Sequence, residues 1–310
     1  MNNQTDSGAR YGPHGACTRV VTSEARKCVL YFGVKMGIKN IIRKITRNSS
    51  KQNVKADYIQ VSYFNFEEGS PTMWGARRYR ETTPKQKRLN EKKAKRYFEA
   101  LVEANFKGNR DFVVHPTFAP GKYPESEEAA KRIVKNWIGR INYRRRKLGM
   151  ENCKYIIIFE RSQKGRMHFH VLMDGGLPRE IVEDTWQHGY CNCDRLKSDP
   201  KIGLSKIISY LSKGQEDDKN TKRWTPSKGL IKPWVSCSKN TKISRKRFNK
   251  LRAIPEDSEF FRETIERDNP GYELQSVEKT ICSETGQLYL FCRMRLKAGG
   301  MINQNGRTGN

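Results

Sequence analysis

A chain of 310 residues has room for one large domain or two ordinary ones. Its 61 Lys and Arg against 33 Asp and Glu leave a formal charge of +28, which points to a polyanionic partner, nucleic acid before an anionic membrane. Apolar segments recur strongly enough to exclude wholesale disorder, and Lys35, Lys39, Arg43 and Lys44 interrupt the most apolar early stretch, which speaks against a membrane span; that stretch also lies too far in, and lacks the flanks, expected of an ordinary secretory signal.

Residues 1–55 read as a basic, poorly ordered arm, within which 34–45 have the spacing of one amphipathic helix. Order is expected from Tyr58, where the alternation of Tyr58-Ile-Gln-Val-Ser-Tyr-Phe-Asn-Phe fits a strand. The spacing predicts a helix over 84–106. Tyr97, Phe98, Leu101 and Val102 form its apolar stripe, and a basic face includes Lys92, Lys93 and Arg96. Seven cations with one Glu between Pro84 and Arg96 suit contact with phosphates.

Phe112-Val-Val-His-Pro-Thr-Phe reads as a short strand in which Pro116 speaks against a central position. A helix over 125–148 follows, acidic at its start, basic at its end and stopped by Gly149. Two strands come next, Lys154 to Glu160 and His168 to Met173, joined by a seven-residue connection. Helices are expected near 178–187 and over 203–213, then a basic, Ser/Thr-rich region to about 250, and last a hairpin over 271–281 and 287–296.

Chemistry concentrates in two places. In Met167-His-Phe-His-Val-Leu-Met the two histidines are two apart on a strand, so they share one face about 6–7 Å apart. Phe169, Val171 and Met173 face the other way, into a core. An antiparallel hairpin would bring Glu160 beside His168, and two imidazoles with a carboxylate suit Mg²⁺ or Mn²⁺. The plainer alternative is a solvated sheet face that happens to carry two histidines. The second place is helix 203–213. There Leu204, Ile207, Ile208 and Leu211 make the buried stripe and Tyr210 lies off it, between Lys206 and Lys213. Flanking ammonium groups favour phenolate, which makes Tyr210 a candidate nucleophile toward phosphate; an amphipathic shoulder tyrosine is the alternative. The run His188-Gly-Tyr-Cys-Asn-Cys193 lacks a nearby fourth ligand for structural zinc, so isolated thiols are the simpler reading. Eight scattered cysteines in a long chain suggest reduced, cytosolic thiols.

In combination, Glu160-Arg-Ser-Gln-Lys-Gly-Arg-Met-His-Phe-His170 and Tyr210-Leu-Ser-Lys213 resemble the HUH superfamily of single-strand endonucleases. Within it they are similar to rolling-circle replication initiators of the phage gene II and plasmid ORF2 kind. Trp186-Gln-His-Gly-Tyr190 and Lys222-Arg-Trp-Thr-Pro-Ser-Lys-Gly-Leu also look like that family, whereas His115-Pro116 departs from its first motif and no second tyrosine follows Tyr210.

The resemblance implies an α+β fold, an antiparallel sheet of about five strands with helices packed on one face and the active site on the other. His168, His170 and Glu160 would hold a divalent ion, Mg²⁺ or Mn²⁺. Tyr210 would be the nucleophile and Lys213 would orient the scissile phosphate, with Arg166 and Thr117 as further DNA contacts. The implied activity is site-specific nicking and joining through a 5′-phosphotyrosine, priming rolling-circle replication of a plasmid, phage or integrative element in a bacterial cytoplasm. The substrate is single-stranded or hairpin origin DNA. No G-x-x-x-x-G-K-[ST] loop is present, so a host helicase and polymerase would be partners. Residues 56–250 would be the endonuclease domain and 251–310 an extension. A transposase or conjugative relaxase would use the same active site, and a non-catalytic DNA-binding protein would use the charge alone. Direct attack needs Tyr210 within ~10 Å of the imidazoles.

Overall fold

The computed structural model describes residues 41–50, 56–65, 84–161, 167–199, 202–211, 224–282 and 286–297. The chain divides into two compact units, one of residues 1–45, 60–89 and 235–310, the other of 46–59 and 90–234. Each is organised around a five-stranded sheet, which makes the protein α+β.

The first sheet has the order β8-β1-β2-β10-β9, formed by Trp234–Ser238 (β8), Ile41–Arg47 (β1), Tyr58–Asn65 (β2), Leu288–Leu296 (β10) and Tyr272–Ile281 (β9). Residues 41–45 therefore form a strand where helical spacing predicted a helix. Ile41, Ile42 and Ile45 are buried, and β-branched side chains fit a packed sheet better than a helix. The C-terminal hairpin, expected either to extend a single sheet or to stand as an appendage, pairs into this one. Its core is pinned by a buried polar network. Tyr63 donates to Asp268 at 2.7 Å, Asn269 donates to Tyr63 at 2.8 Å, and the Arg43 guanidinium pairs with Asp268 at 3.3 Å. Burial and the Asp268 carboxylate hold the Tyr63 phenol well above its usual range.

The second sheet has the order β6-β3-β5-β4-β7: Cys191–Arg195 (β6), Phe112–Pro116 (β3), Met167–Met173 (β5), Tyr155–Arg161 (β4) and Trp224–Pro226 (β7). β3 is thus interior despite Pro116. Thr117 donates its N–H to Tyr190, so odd-numbered residues of β3 point their backbone donors toward β6. The missing N–H of Pro116 then falls on the β5 side, where the ladder ends at Val114↔Val171.

One face of this sheet carries Phe169, Val171 and Met173 into a core with helix α2 (Glu127–Lys147), through Val134, Trp137 and Ile138. Ser126 caps that helix, its hydroxyl accepting from the Ala129 N–H at 3.1 Å. The opposite face does not stay bare. At one end Val113, Ile156, Ile158 and Leu172 are covered by the later turns of helix α1 (Pro84–Asn105) and by helix α4 (Ser205–Leu211). Sequence reading put the packed helices on one face and expected only helix 203–213 over the other, because the stripe of α1 was legible but not the surface it covers. Helix α3 (Arg179–Asp184) belongs to the first core through Val182, while α5 (Arg245–Lys250) and α6 (Glu259–Asp268) belong to the other unit.

The expectation of reduced thiols holds at Cys153, Cys191, Cys193 and Cys292, which are free and buried. It fails at Cys237 and Cys282, which are disulfide-bonded. Spacing along a long chain says nothing about which sulfurs meet in space. Among the described residues no helix is long and apolar enough to cross a membrane.

Candidate active site

The uncovered end of the second sheet is built by register. β4 and β5 pair so that Glu160 stands opposite His168 and Ile158 opposite His170. The β3–β5 register, carried one pair past its ladder, sets His115 opposite His170, and one further pair of the same face sets Thr117 opposite His168. With a side-chain period of two, His115, Thr117, His168, His170 and Glu160 all occupy one face, beyond the Val113–Leu172–Ile156 row that α1 and α4 cover.

His170 is the hub and is buried. Its Nε2 lies 3.1 Å from Glu160 Oε2 and its Nδ1 lies 2.7 Å from His115 Nδ1. An ionised carboxylate only accepts, so neutral His170 carries its proton on Nε2, and its bare Nδ1 accepts from His115 Nδ1–H. Burial lowers the pKa of both imidazoles. At His115 the His170 ring adds to that effect, whereas at His170 the Glu160 carboxylate opposes it. Both rings are therefore set to be neutral, as metal ligation or hydrogen bonding requires.

Tyr210 stands where its helix predicted, off the buried stripe of Leu204, Ile208 and Leu211, and is 53% exposed. Its ring meets the His170 imidazole edge-on, with centroids 5.7 Å apart. Tyr210, His170 and Glu160 are thus brought together, with His168 half-buried on the same face. Lys206 is not reserved for the phenol, because its ammonium pairs with Asp199 at 3.0 Å. Lys213 and Arg166 lie outside the described residues. Thr117 donates its hydroxyl to the Tyr190 carbonyl at 2.9 Å. On α1, Lys92 is exposed and Lys93 and Arg96 are half-buried.

Sequence reading noted His115 only as a departure from a motif. The signal that identifies it is arithmetic: its alternation with Val113 and Thr117, once β3 is paired with β5, puts it against His170. Arg145 belongs to the basic end of helix 125–148, where the sequence suggested only a match to the helix dipole. It is instead buried and donates from both terminal nitrogens to Asp174, at 2.9 and 3.0 Å. The zinc alternative is overturned. Cys191 and Cys193 face the apolar core, and burial pushes both thiols up to about 12, while His188 packs on Trp186 with centroids 5.3 Å apart.

The donor set suits a hard divalent ion in kind, two imidazoles and a carboxylate in adjacent rows of one face. Among the described residues, however, no three His, Cys, Asp or Glu side chains stand in a ready-made metal cluster. Both His170 nitrogens are engaged, so ligation would require Glu160 and His170 to exchange their mutual hydrogen bond for bonds to the ion.

Fold and site together define an antiparallel α+β protein whose sheet carries a histidine–carboxylate row beside a tyrosine-bearing helix. Comparison with known proteins narrows that class. Residues 117–215 match the family of replication-associated proteins named for ORF2 and the gene II protein, a span that includes Glu160, His168, His170, Tyr210 and Lys213. The resemblance to rolling-circle replication initiators carried by these motifs holds over that segment. His115 lies just outside it. No curated protein and no solved structure matches the chain.

Proposed function

We propose that the chain initiates replication by nicking one strand of its origin in the manner of an HUH endonuclease. Tyr210 would be the nucleophile, and His168, His170 and Glu160 the groups that hold a divalent ion, Mg²⁺ or Mn²⁺. The observation that carries this reading is the meeting of the Tyr210 ring with His170 at 5.7 Å, next to the 3.1 Å Glu160–His170 contact. A phenol, an imidazole and a carboxylate on one open sheet end are the groups that a metal-assisted phosphotransfer needs.

When bound, the ion withdraws charge from the scissile phosphate and offsets the charge that develops on it. The protein's own groups do the rest. The Tyr210 oxygen forms a bond to phosphorus and gives up its proton, the bond from phosphorus to the 3′ oxygen breaks, and that oxygen leaves as a hydroxyl with a proton. One phosphodiester replaces another, so the 3′-OH can later reverse the step and reseal the strand. Lys213, three residues beyond Tyr210, would orient the phosphate, with Arg166, Thr117 and Lys206 as further DNA contacts. Cations at Lys92, Lys93 and Arg96 would follow the strand backbone. Unpaired or hairpin DNA would be the substrate, because an unstacked backbone can bend to meet the Tyr210 oxygen and the sheet end together where a stiff duplex cannot. Host helicase and polymerase would complete the cycle. The same active site would serve a transposase or relaxase.

The test is a covalent adduct. Incubated with origin-like single strands and Mn²⁺, the wild-type protein is expected to form a denaturant-stable protein–DNA band, and Tyr210→Phe is expected to form none. His168→Ala with His170→Ala should abolish cleavage while salt-sensitive binding persists. A full-yield adduct from Tyr210→Phe assigns the chemistry to another tyrosine. A second reading, DNA binding without cleavage, draws on the engagement of both His170 nitrogens in hydrogen bonds. EDTA-resistant binding with no nick on any candidate strand would favour it.

A further inference from the structure

The loop that enters β6 presents an aromatic ring that the chemistry above does not use. Tyr190 is 72% exposed, more than any other large hydrophobic residue described. Its carbonyl accepts both the N–H of Thr117, at 2.8 Å, and the Thr117 hydroxyl, at 2.9 Å. Cross-strand partners share a face, so Tyr190 lies on the side of the sheet that carries Thr117, His168 and Glu160. Two strand spacings, about 10 Å, separate its backbone from that of His168.

Exposure here does not come with slack. At Gly189 a Cβ would fall 2.4 Å from the Thr117 carbonyl oxygen and 2.5 Å from the Ala119 nitrogen, so only glycine permits the approach of the two loops. Trp186 donates its indole N–H to the same Thr117 carbonyl at 2.8 Å. The ring is held on a rigid backbone and turned to solvent, so little ordering cost would accompany contact with a ligand. A flat aromatic face turned to solvent is complementary to an unpaired base, since every base offers a π-face.

We propose that Tyr190 is the stacking platform for an unpaired base next to the phosphate that Tyr210 attacks, fixing the strand's position in the site. The proposal rests on the single-strand nicking reading. It is tested by fluorescence anisotropy of a labelled single-stranded oligonucleotide with the full-length protein over a series of salt concentrations. Tyr190→Ala should weaken binding by about 5- to 150-fold, with an unchanged slope against log salt, since no charge is removed. Tyr190→Phe and Tyr190→Trp should bind as the wild type does. Abasic substitutions scanned along the strand should find a position that weakens the wild type and leaves Tyr190→Ala unaffected, a result that does not depend on how well the alanine protein folds. Wild-type affinity in Tyr190→Ala, or a Phe protein as weak as the Ala one, overturns stacking alone. A wild-type protein that does not bind single strands overturns the functional reading and this proposal with it.

Discussion

A neutral imidazole has one proton to give, and His170 faces two neighbours. The Glu160 carboxylate takes that proton in a hydrogen bond from Nε2, which leaves His115 to donate to Nδ1. Protonating both rings would set two N–H donors against each other at 2.7 Å, in a place where burial already disfavours charge. Both folded-state pKa values lie below the ordinary imidazole value of 6.5. As pH falls below 6.5 the unfolded chain takes up protons that the folded one refuses, so stability is present above that pH and is lost on the acid side. Denaturant titrations at about pH 7 and about pH 5 should show this loss in the wild type and a smaller loss in His115→Ala. An identical acid drop in both proteins would mean that the His115–His170 contact does not govern it.

Among the elements, the turn after β5 shows how the histidine strand is anchored at its far end. Arg145, in the last turn of α2, donates twice to Asp174 and once to the Glu151 carbonyl at 2.7 Å, and the Lys154 N–H also donates to Asp174. Gly175 follows, where a Cβ would fall 1.5 Å from the Arg110 carbonyl oxygen. Truncating Arg145 strands a carboxylate that is about three-quarters buried. Since breaking such a pair by removing one partner is costly, Arg145→Ala is expected to destabilise the protein by about 2–4 kcal/mol, with the partial exposure of Asp174 keeping the value below the fully buried case. Equilibrium denaturation measures it, and a loss below about 0.5 kcal/mol would reduce the pair to an ordinary surface one.

For the whole molecule, a charge of +28 makes any contact with DNA a salt-dependent one. If the α1 cations follow the strand, replacing Lys92, Lys93 and Arg96 with alanine should weaken single-strand binding alike for all sequences. It should also make the log–log salt slope shallower by about 2, at about 0.7 per phosphate contact. An unchanged slope would assign the backbone contacts elsewhere. This outcome differs in kind from that expected at Tyr190, where affinity falls and the slope stays.

Much of this protein was legible in its local patterns. The alternation in β5 put His168 and His170 on one face and Phe169, Val171 and Met173 in the core. The short connection back from β4 set Glu160 opposite His168. The stripe of α4 left Tyr210 outside the core. Periods of 2 and 3.6 are properties of single elements, and a sequence displays them directly. What it did not display were relations between elements far apart in the chain: the division of the ten described strands between two sheets, the strand at 41–47, the covering of the second sheet's other face by α1, and the meeting of His115 with His170 across 55 residues. Which strand pairs with which, and in what register, is decided by packing of the whole chain, since many pairings would satisfy the same alternation. Tyr190 belongs with these: only its place opposite Thr117 reveals which face of the sheet it joins.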